Sequence, residues 1–118
     1  MSLSFWKISW LLWHWALAPA TVPTVEQPVN FCEVYGVAFQ DPNPHRATYR
    51  VYVEEDEYSA DLIVFKETNR LMADRAGLWF FTPNPAFADF SVCFVEHPNQ
   101  ANFKIYFTDI DAEARCNR

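Results

Sequence analysis

The 118-residue sequence predicts an all-β fold, made of short strands and turns repeated in tandem. Three observations lead there. Alanine recurs at Ala47, Ala60, Ala73, Ala88, Ala101 and Ala114, spaced 13, 13, 15, 13 and 13 residues apart. Each period opens on a run of β-branched and aromatic residues, the composition of a strand. No stretch long enough for a helix shows apolar residues at helical spacing instead. The chain is long enough for one core and no second one.

Composition narrows the function. Hydrophobic residues make up 51% and charged residues 20%, so the chain folds rather than staying disordered. The net charge is −6 and no basic stretch exists, which argues against a nucleic-acid partner. Glycine occurs only as Gly36 and Gly77. Gly-rich phosphate loops, dinucleotide fingerprints and Gly-rich calcium helices are therefore excluded.

In chain order, the first segment reads as an address. Residues 1–20 (MSLSFWKISWLLWHWALAPA) place Lys7 before an apolar run, then end on Ala18-Pro19-Ala20, the small-x-small form of a signal-peptidase site. The apolar stretch runs from Ile8 to Leu17, and even the wider run over residues 5–18 is 14 residues long, short of the roughly 20 that span a bilayer. Cleavage after Ala20 is expected, with export to the periplasm or the outside of the cell and no membrane span remaining. Trp6, Trp10, Trp13 and Trp15 also fit a membrane-surface helix, though that would want more Lys and Arg. Removing residues 1–20 lowers Lys+Arg from 9 to 8 against 15 acids, a net charge of −7. Residues 21–31 carry two prolines and read as a linker or extended lead-in.

Residues 32–118 form the predicted domain. Cys32-Glu33-Val34-Tyr35 looks like the end of a partial strand. Six units follow: GVAFQDPNPHRAT, YRVYVEEDEYSAD, LIVFKETNRLMAD, GLWFFTPNPAFAD, FSVCFVEHPNQAN and FKIYFTDIDAEAR. Arg75-Ala76 is a two-residue insertion between the third and fourth. Position three is Ala38, Val51, Val64, Trp79, Val92 and Ile105, and position four is Phe39, Tyr52, Phe65, Phe80, Cys93 and Tyr106. Neighbouring strand positions point to opposite faces, so both faces carry large apolar groups. Such strands are covered on both sides or are partly exposed. Positions seven to nine are turn chemistry, with Asn43, Asp56, Asn69 and Asn84 at position eight. The repeated alanine at position twelve marks a place where only a methyl fits, as where two segments approach closely. Asp61, Asp74, Asp89 and Asn102 follow it. They read either as acceptors for a local backbone N–H or as a carboxylate ring for a cation. Thr48 and Arg115 interrupt any ring, which favours the first.

The segments EYSADLIVF, AFADFSVCF and NQANFKIYF, with the opening CEVYG and the tail Ala114-Arg115-Cys116, resemble the 7(1) septoil knot domain family of bacterial proteins. The likeness runs from Cys32 to Cys116. It implies a mostly β domain whose backbone follows a deep torus knot. Physics alone would propose a small barrel or a β-solenoid. The family carries no established activity, so the resemblance leaves function open.

Three cysteines remain to be placed. Cys93 stands at an aromatic strand position, as a buried free thiol would. Cys32 and Cys116 flank the repeats, and a bridge between them is expected in an exported chain, with two free thiols as the alternative. His45, His97 and Cys93 lack the paired spacings of a zinc site, so no metal and no other cofactor is expected. The acidic run at residues 54–57 reads as a solvated turn.

Three functions stay open. The first is a noncatalytic exported domain, a binding or structural module meeting a protein or small-molecule partner. The second is a hydrolase, using Cys93 and His97 or the carboxylates Asp61, Asp74 and Asp89. The third is a self-associating domain, pairing through an exposed edge as a small homo-oligomer.

Overall fold

The computed structural model describes residues 29–117. The predicted signal peptide, most of the lead-in and Arg118 lie outside these residues. Seven strands follow one another: β1 (Gly36–Gln40), β2 (Tyr49–Val53), β3 (Leu62–Lys66), β4 (Leu78–Phe81), β5 (Phe90–Phe94), β6 (Phe103–Thr108) and β7 (Arg115–Cys116). The only helical elements among the described residues are three-residue 3₁₀ turns. None is long and apolar enough to cross a membrane.

The turn chemistry acts where the repeat places it. Asn43, Asp56, Asn69 and Asn84 each accept a hydrogen bond from the backbone N–H two residues on, at 2.9–3.1 Å. This side-chain turn starts the connection. In the next five units a 3₁₀ turn then ends at the repeated alanine, whose N–H donates back to the carbonyl three residues earlier. Ala60, Ala73 and Ala114 are buried, while Ala47, Ala88 and Ala101 are half-buried.

The strands run parallel around a ring in the order β4-β1-β5-β2-β6-β3, and a further β3–β4 pairing closes it into a six-stranded barrel. β7 adds antiparallel to β3. Each connection carries the chain two places around the ring, except β3 to β4, which moves it one. The later strands thereby interleave with the earlier ones. The Arg75-Ala76 insertion sits at that one irregular step. Gly77 follows it with φ +85°, and a Cβ there would run into the Ile63 carbonyl oxygen. Arg75 holds the corner by donating to the Ala114 and Asp111 carbonyls at 2.7 and 2.9 Å.

Positions one, three and five of each unit face the barrel interior. All six position-three residues (Ala38, Val51, Val64, Trp79, Val92 and Ile105) are 0% exposed. Trp79 fits because its neighbour strand supplies small residues: Gly36 pairs with Trp79 and Ala38 with Phe81. Large beside small fills the interior at constant volume. The outward position-four aromatics are half-buried, and Cys93 at the same position is buried.

One end of the barrel is plugged. Position-one rings pack there, with Tyr49 5.9 Å from Phe90 and 5.6 Å from Phe103. Phe31 adds to them at 6.0 Å from Phe103. Cys32-Glu33-Val34-Tyr35 is not the expected strand end. Phe31–Glu33 is a 3₁₀ turn, in which the Glu33 and Val34 N–H groups donate to the Asn30 and Phe31 carbonyls rather than to a neighbouring strand. The buried Trp79 indole N–H donates to the Val34 carbonyl at 2.9 Å and pins the plug. The disulfide Cys32–Cys116 ties it to β7 across a sequence separation of 84.

Candidate functional site

In a parallel sheet the carboxyl ends of the strands come together at one side, and that is where such folds place ligands. Here position five of each unit lies at that end. Around the ring the residues are Phe81, Gln40, Phe94, Val53, Phe107 and Lys66. Phenylalanines from the last three units alternate with Gln40, Val53 and Lys66 from the first three. The interleaved winding creates this alternation.

The three rings form an arc. Phe81 and Phe94 have centroids 6.5 Å apart, and Phe94 and Phe107 6.2 Å. The Lys66 ammonium lies 4.5 Å from the Phe107 centroid and 5.8 Å from that of Phe81. These are cation–π distances. Among the described residues no carboxylate pairs with Lys66. Whereas Phe31 and Val34 seal the opposite end, this mouth opens into a cavity of about 400 Å³ lined by Gln40, Lys66, Phe81, Thr82, Pro83 and Phe94 among others.

A second hollow of about 450 Å³ lies on the outer wall beside β1 and β5 and includes Asp41, Arg46, Thr48 and Ser91. Its Asp41 and Arg46 charges are matched to each other, and its Asp89 carboxylate is engaged by the Val37 N–H. Arg46 donates from Nε and Nη2 to both Asp41 oxygens at 2.7 and 2.8 Å. The Arg46 hydrogen bond, helped by the Asn43 N–H, holds the Asp41 carboxyl below its usual range, and the same bond raises Arg46. This pair locks the first connection.

The residues singled out in the sequence fall apart in space or into backbone duties. Cys93 is a buried free thiol whose Sγ faces the Pro42 carbonyl at 3.6 Å. His97 caps an exposed turn, and its side chain makes no capping bond. No hydrogen bond joins the two. Asp89 accepts from the Val37 N–H and Asp61 from the Lys104 N–H, each at 2.9 Å, and Asn102 accepts from the Arg50 N–H at 2.7 Å. Thr48 accepts the Ser91 N–H in the same way at 3.0 Å. These donors are not local, as the sequence suggested, but 43 to 52 residues away on the adjoining strand. The parallel ring brings position thirteen of one unit against position two of another. Asp74, just before the insertion, is exposed and makes no such bond. His45 is exposed in its turn. Among the described residues no three His, Cys, Asp or Glu side chains converge on a metal-sized site.

The position-five ring was not singled out from sequence. Its signal was the lone Lys66 at a position that three other units fill with Phe, on the same strand face as the wholly buried position three.

The family model of the 7(1) septoil knot domain matches residues 31–117. The chain belongs to that family. No curated protein and no solved structure gives a match. The family boundaries coincide with the plugged, stapled barrel described above. Both cysteines of the staple fall inside the septoil knot domain, and so do all six residues of the open mouth.

Proposed function

We propose that this septoil knot domain is an exported, noncatalytic binding module whose contact surface is the open mouth of the barrel. The observation that carries this is the asymmetry of the two ends. One is closed by Phe31 and Val34, and the other presents Phe81 and Phe94 on a cavity of about 400 Å³, with Phe107 beside them. Half-buried aromatic rings in a concave, preformed setting are the usual material of a binding site. The disulfide supports an oxidising compartment. Against catalysis stand the buried Cys93 and the engagement of Asp61 and Asp89 with backbone N–H groups.

The experiment has two parts. Intact mass of protein recovered from the exported fraction, alkylated without reductant, should show a chain starting at Thr21 with no thiol modified while folded. A full-length chain with three alkylated cysteines would overturn export, and fast labelling of Cys93 would favour the hydrolase with His97. NMR of the folded protein against a panel of small aromatic molecules should move the ring resonances of Phe81, Phe94 and Phe107 before any others. Shifts confined to the outer wall would overturn the choice of the mouth. A solution mass of two chains would turn the reading to self-association.

A further inference from the structure

We infer that the mouth takes a compact organic carboxylate with a flat apolar body, bound through Lys66. The inference rests on the mouth being the binding surface and adds the chemistry of the ligand.

The argument starts from charge. The chain is acidic, with 15 Asp+Glu against 9 Lys+Arg. Carboxylates abound just beyond the strands, as Glu54 and Glu67 after β2 and β3 and Glu96 beyond β5. Yet the cavity lining contains no carboxylate, and its one formal charge is the Lys66 ammonium. In a chain of this sign, an unpaired cation facing into a concave site is the group that selects the ligand.

The rings decide against a cationic ligand. The faces of Phe107 and Phe81 that would receive an ammonium already hold Lys66. A second cation would compete for those faces and meet a like charge. A neutral aromatic molecule could stack in the arc but would leave Lys66 without a partner. A carboxylate uses both features. Its body lies against Phe94, whose ring holds no cation among the described residues, and its oxygens accept charge-assisted hydrogen bonds from Lys66. The exposed Gln40 amide on β1, between the strands of Phe81 and Phe94, offers a further donor. Resting on two rings, the Lys66 stem is partly ordered before the ligand arrives, which lowers the entropic cost of binding. A cavity of about 400 Å³ suits a molecule of one or two rings.

Titration of the full protein with benzoate, benzamide and benzyltrimethylammonium at low salt tests this. Benzoate is expected to bind about tenfold or more tightly than benzamide, the ratio that one charge-assisted hydrogen bond supplies. Lys66→Met should abolish that preference by weakening benzoate far more than benzamide, and should keep the melting temperature, since Lys66 is exposed. Phe94→Ala should weaken both uncharged and anionic probes together. Equal binding of benzoate and benzamide, or a preference for the ammonium, would overturn the carboxylate inference and leave the mouth as the site. A complete absence of ring shifts at Phe81, Phe94 and Phe107 with every probe would overturn the binding reading itself. Benzoate binding that survives Lys66→Met in full would overturn the role of Lys66.

Discussion

Replacing both bridge cysteines, as Cys32→Ser with Cys116→Ser, removes a link across 84 residues that encloses every strand from β1 to β6. In the chain-entropy description, closing a loop of that length takes about 15 cal/mol/K from the unfolded ensemble, or about 4.5 kcal/mol at 25 °C. The folded state should lose less. Phe31 stays packed on Phe103, and the Val34 carbonyl stays bonded to the Trp79 indole. The expected result is a loss of about 4 kcal/mol in urea unfolding and a fall in Tm on the order of 20 °C. The urea slope should also rise, because the unlinked unfolded chain exposes more surface. Circular dichroism of the oxidised protein and the double serine variant, scanned in urea, gives both quantities. A loss under about 1 kcal/mol would refute the reasoning, because the plug alone would then be holding the ends together. A large loss with a lower slope would refute it differently, by showing that the native barrel itself had loosened.

Other outcomes follow from single contacts. Asp89→Ala orphans the Val37 N–H and should cost about 1–2 kcal/mol. Asp89→Asn should cost much less, since Asn102 performs the same task for Arg50; equal losses for the two in urea melts would disprove the acceptor role. Gly77→Ala should destabilise by at least about 2 kcal/mol, combining a left-handed φ with obstruction by the Ile63 carbonyl. Because Asp41 is held below its usual range, its contribution is fully present above the unfolded carboxylate value of about 4 and is lost as pH falls through the lower folded value. Asp41→Asn should flatten that acid limb, which thermal melts between neutral and low pH would read.

Local chemistry was legible in the sequence. The 13-residue alanine spacing, the five-residue apolar openings and the Asn or Asp at position eight all depend on contacts a few residues apart. A side-chain acceptor two residues from its N–H needs no distant partner, so Asn69 and Asn84 announced their turns. Flanking positions likewise suggested the Cys32–Cys116 pair. The segment before β1 was misread as a strand because its apolar residues suit either conformation. What decided it was the barrel end that Phe31 and Val34 fill.

Strand partners were a different matter. Apart from the β3–β4 closure, where partners are 13 residues apart, the ring order joins residues 43 or 52 apart, and a 13-residue period looks the same whether the chain advances one place around a ring or two. The Arg75-Ala76 insertion was visible as a break, but only the closed barrel made it the single step between adjacent strands. The same winding decided which position-five residues face one another, and so placed Lys66 beside Phe107 and Phe81. By itself the sequence determined that this is a β domain of repeated strand-and-turn units, because strand propensity and turn capping are local. Only the tertiary structure decided that the strands interleave into a barrel with one end sealed and the other open, because hydrogen-bond partners between strands are chosen by global closure and packing volume.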